Sequence, residues 1–176
     1  MAERDCVIVS GASKGIDAAI AERGPGAGLV NNLGVHLSAP VASLETRAYE
    51  TVMALNATAV LVAARETHAY LRDRGGLIVN IGSFFDKLGA PDNLAYCASK
   101  AAVAAMTRCM AVEWAAADIR VLNVAPGYIR TDLNRDDLAR ERVKTCLGGR
   151  IPTGGPAKLR TSPNSPGPCS ANPSVS

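Results

Sequence analysis

An α/β fold built on a parallel sheet is the class this sequence predicts, and three observations carry the prediction. Short apolar runs, Cys6–Val9, Leu29–Asn31, Leu77–Ile81 and Ile119–Val124, alternate with longer stretches of helical character. Such alternation is the pattern of strands joined by crossover helices. The hydrophobic fraction is 48% but the aromatic fraction only 4%, so the core is built from Ala, Val, Leu and Ile, which suits buried parallel strands. The length of 176 residues allows one such core and not clearly two.

In chain order, the first strand runs straight into Ser10-Gly11-Ala12-Ser13-Lys14-Gly15-Ile16. Strand, glycine turn and helix start make a phosphate cradle, because glycines let the backbone approach a pyrophosphate and free N–H groups face it. Asp17 stands where such loops usually carry another glycine, and it sets a negative charge near that cradle. The helix over Ala18–Arg23 is broken by Gly24-Pro25-Gly26-Ala27-Gly28, after which Leu29-Val30-Asn31 leads into Asn32-Leu33-Gly34. Leu44–Tyr70 reads as one helix with Asn56 near its middle. Asparagine is a poor helix former, so Asn56 is either a solvated helix residue or the site of a local kink. Gly75-Gly76 ends this helix, and the strand to Ile81 delivers Ser83 at its carboxyl end. A helix from about Tyr96 to Trp114 precedes the strand Ile119–Val124 and the rigid turn Ala125-Pro126-Gly127-Tyr128-Ile129-Arg130-Thr131. Asn134–Leu147 is charged and helical in character. Residues 1–150 form the predicted domain. From Ile151 to Ser176 prolines and serines accumulate without periodicity, which predicts a disordered tail.

The net charge of +3 is small and no basic residues cluster with aromatics, so nucleic acid is not indicated. Cys6, Cys97, Cys109, Cys146 and Cys169 are odd in number and lack ligand spacing, which predicts reduced thiols in a cytoplasmic protein. With His36 and His68 as the two histidines and neither partnered at ligand spacing, no metal site is expected. No apolar run approaches the roughly 20 residues of a membrane span, and the N-terminus does not resemble a secretory signal.

The chemistry is concentrated between Ser83 and Lys100. Tyr96 and Lys100 are four apart on a helix and share a face. A serine, a tyrosine and a lysine then meet at the carboxyl edge of the sheet, where open α/β sheets bind ligands.

Together these segments resemble the short-chain dehydrogenase/reductase family over roughly Cys6–Arg23 and Leu29–Pro152. The loop Ser10–Ile16 is similar to the family's cofactor loop, and Asn31-Asn32-Leu33-Gly34 to its Asn-Asn-Ala-Gly segment with one substitution. Asn56, Ser83, Tyr96 and Lys100 fall on its catalytic tetrad, and Pro126-Gly127 with Thr131 on the turn that holds the nicotinamide end. The resemblance implies a Rossmann-like α/β/α fold with a reduced parallel sheet, and an NADP or NAD cofactor held by Gly11, Ser13, Lys14, Gly15, Ile16, Asn31, Gly34, Tyr96, Lys100, Pro126, Gly127, Ile129 and Thr131. Lys14 tilts the choice toward NADP. It further implies hydride transfer to or from a carbonyl or secondary alcohol, with Tyr96 as general acid/base. The Lys100 ammonium would lower the ordinary tyrosine value of about 10, Ser83 would hold the substrate oxygen, and Asn56 would order a water relaying protons from Lys100. Family subunits associate through the Asn56 and Tyr96 helices, so a homo-oligomer is implied, weakened by the loss of the C-terminal contacts.

Two departures shape the expectations. The two strands and helices that the family places between its first helix and the Asn-Asn-Ala-Gly strand are absent, and with them the residue that selects NAD or NADP. Joining Arg23 directly to Leu29 obliges the first helix to cross in the opposite direction, since parallel crossovers are right-handed in about 98% of cases. Weak or absent cofactor binding follows as an expectation. After Pro152 the sequence stops matching the family, as a shifted reading frame would produce. The alternative reading is a catalytically inactive remnant that acts, if at all, as a binding protein.

Overall fold

The computed structural model describes residues 7–10, 28–130, 141, 145, 149 and 155–158. The glycine loop, the first helix and the handedness of the first crossover lie outside the described residues, as does Thr131. Two compact units divide the chain, Met1–Pro126 and Gly127–Ser176.

In the first unit four parallel strands form one sheet in the order β1 (Val7–Ser10), β2 (Gly28–Asn31), β3 (Gly76–Ile81), β4 (Ile119–Val124). These are the four expected apolar runs, and the fold is the Rossmann-like α/β class with a reduced sheet. Register places Ile8 beside Leu29, Leu29 beside Ile78 and Ile78 beside Val121. Because successive side chains alternate across a strand, this row lies on a single face. That face packs against α2 (Ala59–Leu71) and α3 (Leu94–Glu113). The core joins Ile8, Leu29, Ile78, Ile119 and Val121 to Ala63, Ala64 and Leu71 of α2 and Met110 of α3. Alanines on the helices bring their axes close to a sheet that has no aromatic residue to accommodate. The opposite face carries the row Val9, Val30, Val79, Leu122.

The single helix expected over Leu44–Tyr70 is continuous but not uniform. α1 (Thr46–Met53) passes into a π turn at Ala54–Thr58 and then into α2. The Ala59 N–H donates to the Ala54 carbonyl, five residues back, which admits one extra residue into the turn. Gly75 ends the segment at φ 75° and its N–H donates to the Leu71 carbonyl at 2.8 Å, a left-handed stop that favours glycine. Among the described residues no helix is long and apolar enough to cross a membrane.

In the second unit Ile129–Arg130 (β5) pairs in parallel with Ala157–Lys158 (β6). Ala157 and Lys158 belong to the stretch read as disordered, so that reading does not hold for these two residues; the rest of the tail, apart from Gly155 and Pro156, lies outside the described residues. Of the expected helix at 134–147, Glu141 and Thr145 are described and helical.

Candidate functional site

The site forms where β3 ends. The chain leaves Ile81 through Gly82 to Ser83, whose extended backbone (φ −165°, ψ 155°) starts a short 3-10 turn at Phe84–Asp86. The Ser83 Oγ accepts from the Phe85 N–H at 3.2 Å. Ser83 is buried, and its hydroxyl faces the half-buried phenol of Tyr96 in the first turn of α3 closely enough to favour the phenolate. Lys100, one turn further along α3, is also buried, and its Nζ donates to the Ile81 carbonyl at 2.8 Å. The same ammonium lies 5.6 Å from the Tyr96 ring centroid. Strand end and helix start thus bring together the serine, tyrosine and lysine that sequence spacing had paired.

The electrostatics differ from expectation. Burial raises the Tyr96 phenol above its ordinary value, the Ser83 hydroxyl opposes that rise, and neighbouring Cys97 adds to it. Burial also pulls the Lys100 ammonium below its ordinary value. The reason is geometric. The ammonium is engaged by the Ile81 carbonyl and meets the tyrosine across its ring, while removal from water disfavours phenolate and ammonium alike.

Asn56 sits in the π turn and is fully buried, so it is the kink and not a solvated helix residue. Its Oδ1 accepts from the Val35 N–H at 2.7 Å, and its Nδ2 donates to the Val35 carbonyl at 2.8 Å and to Ser99 Oγ at 3.1 Å. Ser99 Oγ in turn donates to the Tyr96 carbonyl at 2.8 Å. One amide therefore ties the loop after β2 to the helix that carries Tyr96. Gly34 lies over this junction: a Cβ there would stand 3.5 Å from Asn56 Oδ1 and 3.6 Å from Lys100 Nζ.

Asn31 is placed differently from an exposed cofactor contact. Its side chain is buried, and Nδ2 donates to Asn80 Oδ1 at 2.9 Å, while Asn80 Nδ2 donates to Thr107 Oγ1 at 2.9 Å. This is a strand-to-helix brace just below the site. The Pro126 carbonyl accepts from the Phe84 N–H at 3.4 Å. Gly127 and Ile129 belong to the second unit, and Gly11, Ser13, Lys14, Gly15, Ile16 and Thr131 lie outside the described residues.

Sequence reasoning missed three residues. Ser99 was legible, since three residues after Tyr96 puts it on the same helical face. His36 and Asn93 gave no such signal. The His36 ring meets Tyr96 edge to face, with centroids 5.0 Å apart at 83°. Its Nε2 is hydrogen-bonded to Asn93 Oδ1. On another side Phe85 also approaches Tyr96 edge to face at 6.1 Å.

For a nicotinamide cofactor, the residues present fit one end. Two hydroxyls and an ammonium converge at a strand end beneath a glycine, and no side chain at position 34 fills the space above them. Tyr96 and Lys100 are the side chains there that would hold it.

The short chain dehydrogenase family model matches residues 24–142 of this chain. The inactive 2-(S)-hydroxypropyl-CoM dehydrogenase 2 of Xanthobacter autotrophicus is 39% identical over 120 residues, 67% of this chain and 52% of that protein. The 5-keto-D-gluconate 5-reductase of Escherichia coli K12 is 35% identical over 142 residues, 78% of this chain and 56% of the reductase. A crystal structure of a gluconate 5-dehydrogenase from Burkholderia cenocepacia, in complex with NADP and tartrate, matches with a TM-score of 0.76 at 32% identity, covering 81% of this chain and 56% of that one. The chain spans about half the length of the curated relatives it matches.

Proposed function

The chain belongs to the short chain dehydrogenase family, and on that premise we propose that it is an oxidoreductase that interconverts a small carbonyl compound and its secondary alcohol, with NADP, or else NAD, as cofactor. The observation that carries this reading is the convergence of buried Ser83, Tyr96 and buried Lys100 at the end of β3, with the Lys100 ammonium 5.6 Å from the Tyr96 ring. The cofactor, when bound, supplies or accepts the hydride. In the reducing direction Tyr96 gives its phenolic proton to the carbonyl oxygen, and Ser83 donates a hydrogen bond to the same oxygen. A phenol kept neutral by burial suits a general acid. Lys100 replaces the proton through a water that the Asn56 turn orders. The complex of the Burkholderia relative with NADP supports the choice of cofactor. Association of copies through α2 and α3 belongs to the same reading, and exposed Leu61, Val62 and Val112 support it.

A second reading, a catalytically silent protein, has a specific observation in its favour: among the described residues the strand order runs β1-β2-β3-β4 without a reversal, whereas dinucleotides bind where the order reverses. A relative named as inactive points the same way. Titrating NADPH and NADH onto the purified chain, followed by ketone reduction, decides between them. Micromolar NADPH binding and turnover that falls about 100-fold or more in Tyr96→Phe uphold the first reading. No binding at millimolar cofactor and no turnover leave the second.

A further inference from the structure

Asn93 occupies the position just before α3, where an asparagine side chain ordinarily caps the helix, yet it makes no capping bond. Its Nδ2 instead donates to the Pro91 carbonyl at 2.6 Å. That bond turns Oδ1 toward His36, where it meets Nε2. An amide oxygen only accepts, so Nε2 carries a proton, and in the tautomer with that single proton Nδ1 is left as an acceptor. Among the described residues Nδ1 has no hydrogen-bond partner, and His36 is exposed. The ring is held in place from both sides of this contact. The Ala39 N–H donates to the Asp92 carbonyl at 2.9 Å, and Ser38 Oγ donates to the same carbonyl at 3.2 Å. Three bonds thus fix the loop after β2 to the turn before α3, and they hold the His36 ring edge to face against Tyr96, with centroids 5.0 Å apart.

We propose that His36 is a specificity-determining residue of this site: its Nδ1 accepts a hydrogen bond from a hydroxyl on the carbon next to the one that Tyr96 serves, so the preferred substrates are α-hydroxy ketones and the vicinal diols they become. This rests on the oxidoreductase reading above. An acceptor takes a hydroxyl hydrogen and repels a carboxylate, so Nδ1 as acceptor selects a hydroxyl over an acid at that carbon. Nothing else in the first turn of α3 duplicates it, because Asn93 is committed to Pro91 and His36, and Ser99 to the Tyr96 carbonyl.

Two measurements on the full chain test the assignment. In the first, hydroxyacetone and acetone are compared as substrates with NADPH. His36→Gln keeps a donor for Asn93 but has no acceptor at the δ position, and is expected to lose about tenfold in kcat/KM on hydroxyacetone with acetone changed less than about twofold. His36→Asn, which restores an oxygen at the δ position, is expected to recover most of the preference. In the second, ring ¹⁵N resonances are followed as hydroxyacetone is added. His36 and His68 are the only histidines in the sequence, and His36 Nδ1 is expected to shift with hydroxyacetone but not with acetone, while His68 stays fixed. Equal losses on both ketones in His36→Gln, or no selective shift at His36, overturn the proposal. Absence of turnover with both ketones overturns the oxidoreductase reading instead, and the resonance measurement then decides the role of His36 by itself.

Discussion

The two faces of the four-stranded sheet are built from equally apolar residues but have different surroundings. On one face Ile8, Leu29, Ile78 and Val121 form a row sealed beneath α2 and α3. On the other, the outer strands leave Val7 58%, Val9 48%, Leu122 51% and Val124 45% exposed, and among the described residues no helix lies over them. Topology explains the difference. A right-handed crossover places its helix on a face fixed by the direction in which the chain steps across the sheet. With strand order β1-β2-β3-β4 the direction never changes, so the crossovers through α2 and α3 both land on the same side. A doubly wound sheet covers both faces because its order reverses, and the reversal also opens the crevice for a dinucleotide. The four candidate site residues belong entirely to the sealed side: Asn56 between α1 and α2, Tyr96 and Lys100 on α3, and Ser83 at the strand end between them.

The contrast can be broken most sharply by truncation on each face. Ile78 is fully buried, and Ile78→Ala should cost about 2–5 kcal/mol of stability, whereas Val9→Ala should stay within about 0.5 kcal/mol. Urea unfolding monitored by circular dichroism measures both, and similar losses would mean that the second face is sealed as well. A smaller effect is expected from the polar brace on the sealed side. Asn80→Ala leaves Asn31 Nδ2 without its acceptor and Thr107 Oγ1 without its donor, at a cost of about 1–3 kcal/mol in the same assay. Least in energy, yet closest to the candidate site, is the Ser83–Tyr96 pair. The Ser83 hydroxyl favours the phenolate, so Ser83→Ala should push Tyr96 ionisation further up, read as the ultraviolet titration difference against Tyr96→Phe. The sign extends to stability: with the folded value raised, the Tyr96 contribution is fully present below its unfolded value near 10 and is lost as pH rises through the folded one. Unchanged titration in Ser83→Ala would remove the serine from the pair.

Much of the sealed side was legible from sequence, because periodicity reports directly on burial. The strand Ile119–Val124 was read with its observed limits, and the expected Leu77–Ile81 lengthened only by Gly76. Four-residue spacing was enough to bring Tyr96 and Lys100 onto one face. What spacing does not encode is where a flexible ammonium finds its acceptor. Lys100 was assigned to the tyrosine but donates to a main-chain carbonyl nineteen residues away, and burial then sets both ionisations. His36 and Asn93 were illegible for a related reason: they are 57 residues apart, and only the closing of the sheet makes them neighbours. Asn56 was half legible, since a poor helix former inside a helix signalled a disturbance without specifying its form.

That form has a consequence for how the chain tolerates change. In a regular helix each residue advances by about 100°, so the π turn at Ala54–Thr58 works as a phase shift between α1 and α2. Substitutions at most positions of the turn leave the phase alone. Loss of a single residue anywhere within it would restore regular winding and rotate all of α1 relative to α2, carrying Asn56 away from Val35 and Ser99 together. The site is therefore more robust to altered letters in this segment than to an altered count of them, and homologues that keep the tetrad should keep the length of this helix even where its composition drifts.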